Sequence, residues 1–129
     1  MALNTIRHLD YVILLCNDLE VMKRFYHEIM GFRVYRDLGT WYELQVGSVL
    51  LTLRLRGRDY DGEGGSGASV QLAFRVAPDD VERCYDELVA HDVEILEPPT
   101  EKSFGHKTLF FKDPEGNVLE IYAEIPVQD

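Results

Sequence analysis

Glu120 is the residue of this sequence whose type and surroundings are best suited to chemistry. Its neighbours are Val118 and Leu119 on one side and Ile121 and Tyr122 on the other, so its carboxylate lies in an apolar, strand-like run. Burying an unpaired carboxylate is costly. An apolar setting is also one way in which proteins make a carboxyl group a general acid or base. We therefore expect Glu120 either to be neutralised by a partner or to be a catalytic acid or base.

The segment around Glu120 has a counterpart earlier in the chain. The run Gly116-Asn117-Val118-Leu119-Glu120 matches Gly47-Ser48-Val49-Leu50-Leu51, and the glutamate of one copy stands where the other copy has Leu51. A repeat of about sixty residues is longer than a one-helix solenoid unit. It predicts two copies of one module that face each other and enclose a cavity.

Each copy predicts the order strand, helix, strand, strand, strand. Apolar runs and period-two alternation indicate the strands, and Asp18 is the expected N-cap of the first helix, which Gly31 ends. Breaks are expected at Pro98-Pro99 and at Asp113 to Gly116. The predicted elements, in chain order, are strand 9–16, helix 19–30, strands 32–36, 41–46 and 49–55, strand 69–76, helix 79–90, and strands 93–96, 107–112 and 117–124.

The 129 residues are expected to form a single domain, 1–129, made of modules 6–57 and 68–125. A chain of this size buries roughly two-thirds of its unfolded surface without disulfides or metals. A linker rich in Gly and acidic residues, 57–68, joins the modules and is expected to be flexible.

Composition excludes several classes of partner. The formal net charge of -10 argues against a nucleic-acid backbone or an anionic membrane, and the basic cluster Arg54, Arg56 and Arg58 is expected to be solvated. No apolar run approaches the ~20 residues that span a bilayer. Cys16 and Cys84 form no CxxC pair and are expected to be free thiols. We expect a cytoplasmic protein that binds neither nucleic acid nor membrane.

The paired strand-helix-strand pattern resembles the vicinal oxygen chelate superfamily, which includes glyoxalase I, bleomycin-resistance proteins, fosfomycin-resistance enzymes and extradiol dioxygenases. The resemblance implies an α+β fold in which two βαβββ modules form curled mixed sheets around a cup. It does not by itself imply one chemistry. The segments that carry the resemblance are Leu9-Asp10-Tyr11, Asp18-Leu19, Phe25-Tyr26, Gly31-Phe32 and Asp113-Pro114-Glu115-Gly116-Asn117-Val118-Leu119-Glu120-Ile121.

The resemblance also implies where a metal would bind. Metal-dependent relatives use His or Gln on first strands and Glu on last strands, positions that match Tyr11, Leu51, Gln71 and Glu120 here. Gln71 and Glu120 are acceptable ligands, Tyr11 departs from the pattern, and Leu51 cannot bind a metal. Because enzymes normally hold a divalent ion with about three protein ligands or more, the site is incomplete. No cofactor is therefore expected, with Zn, Ni, Mn or Fe as the alternative.

Strand alternation names the side chains that would line the cup. If Glu120 faces inward, Val118 and Tyr122 do so too, and Trp41 and Glu43 are added from the third strand of the first module. His106 is expected at the rim. The candidate ligand-binding residues are Tyr11, Ile13, Trp41, Leu51, Leu53, Gln71, Arg75 and Tyr122.

Three roles remain open for Glu120. It could be a structural carboxylate neutralised by Arg75 or hydrogen-bonded by Gln71 and Tyr11, a general acid or base, or a metal ligand. Arg75 could instead meet a carboxylate on a ligand.

Two function classes follow. The first is a metal-free binding protein of the bleomycin-resistance type, a homodimer that holds a small aromatic or oxygenated molecule in an apolar cup. The second is a glyoxalase-type lyase or isomerase in which Glu120 acts as a base or a metal ligand. A non-catalytic partner module in a larger complex would also fit the acidic surface.

Overall fold

The computed structural model describes residues 2–64 and 69–128, which belong to two units, Met1–Gly64 (unit 1) and Gly65–Asp129 (unit 2). Residues 65–68 of the predicted linker lie outside the described residues. No helix in the described part of the chain is long and apolar enough to cross a membrane.

Unit 1 has one four-stranded sheet in the order β1-β4-β3-β2. The first and last strands, β1 and β4, pair in parallel, and the other pairs are antiparallel. A short 3-10 helix, Ala2–Thr5, precedes the sheet. The elements are β1 (Tyr11–Cys16), α1 (Leu19–Lys23) with a π-helical continuation (Arg24–Ile29), β2 (Arg33–Asp37), β3 (Trp41–Val46) and β4 (Val49–Leu55).

Unit 2 repeats this topology in a second four-stranded sheet, ordered β5-β8-β7-β6. Again the first and last strands are parallel neighbours, so the α+β class with two mixed sheets is confirmed. The elements are β5 (Gln71–Arg75), α2 (Asp80–Ala90), β6 (Ile95–Lys102), β7 (His106–Lys112) and β8 (Val118–Glu124).

The first helix changes type after its first turns. Asp18 caps it as predicted, accepting a hydrogen bond from the Val21 N–H at 3.2 Å. From Arg24 the helix is π-helical, and the Met30 N–H donates to the Phe25 carbonyl at 2.9 Å. The wider turn accompanies the burial of two consecutive aromatic residues, Phe25 and Tyr26, whose rings meet edge to face at 4.9 Å.

The predicted break at Pro98-Pro99 is wrong. Strand β6 runs through both prolines to Lys102. It lies at the edge of its sheet, and its pairing with β7 shifts register between Glu97 and Thr100. Proline lacks a backbone N–H, and an edge strand with a bulge is where a sheet tolerates that loss.

The core of each unit lies between its sheet and its helix. In unit 2, Leu119, Ile121 and Ala123 are buried as the alternation predicted, and α2 packs against β6, β7 and β8. In unit 1, Tyr42 lies on the helix side of the sheet, because the ammonium group of Lys23, on the helix, is 5.0 Å from the centre of the Tyr42 ring. We call the opposite side of each sheet its helix-distal face.

Leu51 and Leu53 lie on the helix side of unit 1. The two leucines pair with Val12 and Leu14 of β1, and they are only 3% and 0% exposed. Consecutive residues of a strand point to opposite faces, so the prediction that they share a face with Tyr11 is wrong.

Thr52, and not Leu51, is the counterpart of Glu120. Thr52 stands opposite Ile13 of the first strand, as Glu120 stands opposite Ala73. A shift of one residue moves every side chain of a strand to the other face. The glycine-based alignment of the two copies is therefore displaced by one position.

The cause of the displacement is the length of the closing turns. In unit 1, Val46 pairs with Val49 across Gly47 and Ser48 alone. In unit 2, Lys112 pairs with Val118 across residues 113–117. Glycines at the same distance from the following strand therefore do not mark the same place in the two turns.

The longer turn is held by one buried carboxylate. Asp113 accepts hydrogen bonds from the N–H groups of Glu115 and Asn117 at 2.9 and 3.0 Å, and from the Asn117 side-chain amide at 2.9 Å. The Asn117 side-chain oxygen in turn accepts from the Ser69 N–H at 3.3 Å, just before β5. This turn therefore sets both the β7–β8 hairpin and the start of β5.

The register of β4 leads to a stability prediction. We expect Leu53→Ala to lower the free energy of unfolding by about 2–5 kcal/mol, because it removes a fully buried side chain. Ile13→Ala is the matched control, since Ile13 is 41% exposed, and we expect it to cost about 1 kcal/mol or less. Urea denaturation measures both. A larger loss for Ile13→Ala would contradict the register.

Candidate functional site

The helix-distal face of unit 2 carries Glu120. Residues that are directly opposite each other in the strand pairing share a face, and Glu120 stands between Ala73 of β5 and Phe110 of β7. The strand pairing places on this face Gln71, Ala73, Arg75, Thr108, Phe110, Val118, Glu120, Tyr122 and Glu124.

Glu120 is half-buried, and among residues 2–64 and 69–128 no group donates a hydrogen bond to it or forms an ion pair with it. Arg75 does not neutralise it, because its guanidinium lies 3.5 Å from Glu124. Of the alternatives for Glu120, the one in which Arg75 neutralises it does not match the observed ion pair. The carboxylate is left able to accept hydrogen bonds or a proton.

Gln71 and Tyr122 also lie on this face, as predicted from strand alternation. Gln71 is opposite Val118, and this pair lies two residues before the Ala73–Glu120 pair along both strands. Tyr122 follows Glu120 by two residues on the same strand and is opposite Arg75 and Thr108. Its ring stacks on the imidazole of His106, with centroids 4.8 Å apart.

His106 is the first residue of β7 and is half-buried. The Phe104 ring also contacts its imidazole, edge to face, with ring centroids 5.2 Å apart. Thr108, the next residue of β7 on this face, is 2% exposed, and its hydroxyl oxygen has no partner among the described residues. An aromatic row and an unsatisfied hydroxyl therefore adjoin the carboxylate of Glu120.

Sequence reasoning missed Phe110 and Thr108. Both lie in the run Thr108-Leu109-Phe110-Phe111, where apolar residues on consecutive positions hide the period-two pattern. The pairing of β7 with β8 reveals that Phe110 is opposite Glu120, while Leu109 and Phe111 are in the core.

The helix-distal face of unit 1 contains Tyr11, Ile13 and Trp41, as predicted, and centres on Glu43. Glu43 is 0% exposed. It accepts hydrogen bonds from Arg36 Nε at 2.9 Å and Trp41 Nε1 at 3.0 Å. The Trp41 and Tyr11 rings lie 6.4 Å apart.

This network decides the ionisation of Glu43. Hydrogen bonds from Arg36, then from Trp41, lower the pKa of the Glu43 carboxyl from its usual value, although its burial opposes the shift. The same ion pair raises the pKa of Arg36. Glu43 is therefore a charged group that orients Trp41 and Arg36, and it is unsuited to be a general base near neutral pH.

Arg54, on the same face, is not solvated as expected. It is 7% exposed and makes two contacts with the Asp61 carboxylate, at 2.8 and 2.6 Å. Asp61 also accepts from the N–H groups of Gly57 and Arg58 at 2.9 and 2.8 Å. These contacts lower the pKa of Asp61, with the Arg54 hydrogen bonds as the largest cause, and they tie the start of the predicted linker to β4.

The donors of unit 2 do not fit a transition-metal centre. Glu120 offers a carboxylate and Gln71 a neutral amide oxygen, and no group of three or more His, Cys, Asp or Glu residues in the described part of the chain could hold an ion. Zn, Ni and Fe sites in proteins rely on imidazole, thiolate and carboxylate ligands, normally three or more.

A family model described as the glyoxalase/bleomycin resistance protein/dioxygenase superfamily matches residues 8–121. The chain belongs to that superfamily. The match includes both sheets and the turn built on Asp113, so the residues that carried the resemblance at the end of the chain are in large part structural.

The relatives of this chain have varied names. The chain is 23% identical over 119 residues to metallothiol transferase FosB of Lysinibacillus sphaericus, and the match covers 92% of this chain and 84% of that one. A glyoxalase-related enzyme from Fulvimarina pelagi has a TM-score of 0.79 at 24% identity, with 92% and 89% of the chains covered. A Nocardioides family member has a TM-score of 0.78 at 22% identity, with 96% and 89% covered. These likenesses establish the fold.

The ionisation of Glu43 predicts a pH-dependent stability. A carboxyl whose pKa is lower in the folded state stabilises the fold above its unfolded pKa, near 4.5, and loses that contribution as pH falls through the folded value. We expect Glu43→Gln to lower the free energy of unfolding by about 1–2 kcal/mol at pH 7. We expect this loss to become smaller as the pH falls below 4.5.

Urea denaturation at pH 7 and at pH 3 measures this difference. Glu28→Gln is the control, because its side chain is 65% exposed and pairs only with the exposed Arg24. A cost of Glu43→Gln that stays constant between the two pH values would contradict the assignment.

Proposed function

We propose that this protein binds a small organic molecule on the helix-distal face of unit 2 and that Glu120 holds the polar end of that molecule. The supporting observation is the unpaired carboxylate of Glu120. The neighbouring carboxylates Glu124 and Glu97 form ion pairs with Arg75 and Lys102 at 3.5 and 2.8 Å. Because its side chain is half-buried and no described residue holds its carboxylate, Glu120 is available to accept hydrogen bonds from the polar end of a ligand.

The surroundings of Glu120 support the same proposal. Ala73 on one side is small, whereas Phe110 and Tyr122 supply aromatic surface. Small-molecule sites typically combine such apolar walls with a few convergent polar groups. Gln71, Glu120 and Thr108 are the polar groups here.

We propose that binding requires no metal. This part of the proposal is supported by the chemistry of the donors, since one carboxylate and one neutral amide are fewer ligands than divalent metals normally receive. No catalytic step through a metal is derived from these residues.

A second candidate is a lyase or isomerase in which Glu120 removes a proton from the bound molecule. It is favoured by the same unpaired carboxylate, which no cation in the described residues holds as a salt bridge. A general base must be within hydrogen-bond reach of the proton that it takes, and a ligand held by Glu120 would meet that condition.

Ligand binding is tested by protein-observed NMR with a library of small aromatic and oxygenated compounds. We expect chemical-shift changes centred on Ala73, Phe110 and Tyr122. We also expect Tyr122→Ala to raise the dissociation constants of the tightest-binding compounds about tenfold, a typical value for the loss of one aromatic contact. Tyr85→Ala, on helix α2, is the control. Binding that maps to the helix side, or no binding at all, would overturn the proposal.

Metal content is tested by inductively coupled plasma mass spectrometry after dialysis against each of Zn, Ni, Mn and Fe. We expect well under one ion per chain, because Gln71 and Glu120 are too few ligands. Near-stoichiometric metal that is lost in Glu120→Ala would contradict the metal-free proposal and support the enzymatic alternative.

A further inference from the structure

We infer that the molecule bound beside Glu120 is a planar organic cation, such as an amidine, a guanidine or a protonated aromatic amine. The inference rests on the proposed function and names the chemical class of its ligand. It follows from three features of the helix-distal face of unit 2, as far as its residues are described: the unpaired charge of Glu120, the aromatic surface and the unsatisfied hydroxyl of Thr108.

The unpaired charge is negative. Arg75 is engaged by Glu124, Lys102 by Glu97 and Lys112 by Glu94, the last pair at 3.7 Å. An anionic ligand would therefore meet Glu120 without a Lys or Arg in the described part of this face that is free of a carboxylate partner to offset the repulsion. A neutral ligand would leave the carboxylate without a counter-charge, whereas a cation supplies it.

The aromatic surface favours a flat cation. Phe110 is directly across from Glu120, where side chains of neighbouring strands are about 4.5–5.5 Å apart at Cβ. Tyr122 is two residues further along β8, and its ring is backed by His106. A cation that binds Glu120 therefore lies next to two aromatic side chains, and aromatic rings attract positive charge.

The unsatisfied hydroxyl calls for a second hydrogen-bonding group. Thr108 is directly opposite Tyr122, diagonal to Glu120, and its hydroxyl oxygen is buried without a partner in the described residues. An amidinium or guanidinium has several N–H donors in one plane. It can pair with the carboxylate through one edge and offer a further N–H toward Thr108, which an aliphatic ammonium of the same charge does less well.

The experiment compares three probes of nearly the same shape: 2-naphthamidine, 2-naphthamide and 2-naphthoate. Their dissociation constants are measured by NMR titration at pH 7 with the wild type, Glu120→Gln and Glu28→Gln. The two variants change the net charge equally, but Glu28 lies on the first helix of unit 1, where its side chain is 65% exposed and pairs with Arg24. Dispersed spectra establish that each variant is folded.

We expect the wild type and Glu28→Gln to bind the amidine at least tenfold more tightly than the amide, and the naphthoate most weakly. In Glu120→Gln the preference should fall to about twofold or less. A preference that survives in Glu120→Gln overturns the inference, because it would then reflect the overall acidic charge. Equal or stronger binding of the amide or the naphthoate at Phe110 and Tyr122 overturns the inference but leaves the proposed function intact. Binding of none of the three on this face overturns the inference, whereas the proposed function is overturned only if the compound library also fails to bind there.

Discussion

The parallel pairing of first and last strands is the constraint on which the rest of each unit depends. Side chains alternate along a strand, so the register of β4 against β1 and of β8 against β5 decides which residues enter the core and which form the helix-distal face. Two different turns hold these registers. One is the tight turn at Gly47 and Ser48, and the other is built around the buried carboxylate of Asp113. The copies can therefore share a topology and differ in chemistry.

The two helix-distal faces differ in the hydrogen-bond partners of their central carboxylates. Unit 1 surrounds Glu43 with donors from Arg36 and Trp41, which keep it ionised and orient its neighbours. In unit 2, none of residues 69–128 donates a hydrogen bond to Glu120, which is next to aromatic side chains. A carboxylate held by donors of its own unit stabilises its surroundings, whereas a half-buried carboxylate that no described residue holds is available to a ligand. This contrast is the physical basis for the proposal that places ligand binding on unit 2.

Much of the fold could be predicted because its signals are local. The bounds of β3 and β4 agree with the predicted strands 41–46 and 49–55, and Asp18 is the N-cap, because turn glycines and capping side chains act within a few residues. The π-helical turn at Phe25 and the passage of β6 through Pro98 could not be predicted in this way. The first accompanies the packing of two adjacent aromatic rings, and the second depends on β6 lying at an edge of the sheet.

The sequence by itself determined the family, the repeated topology and the presence of Glu120, Gln71 and Tyr122 on one face of the second sheet, since strand period and turn residues encode these. Only the tertiary structure decided that Leu51 and Leu53 are core residues, that Thr52 is the counterpart of Glu120, and that Arg75 pairs with Glu124 instead. The reason is physical. Face and ion-pair partner depend on the pairing of strands that are far apart in the chain, and a single residue in a turn is enough to invert the face.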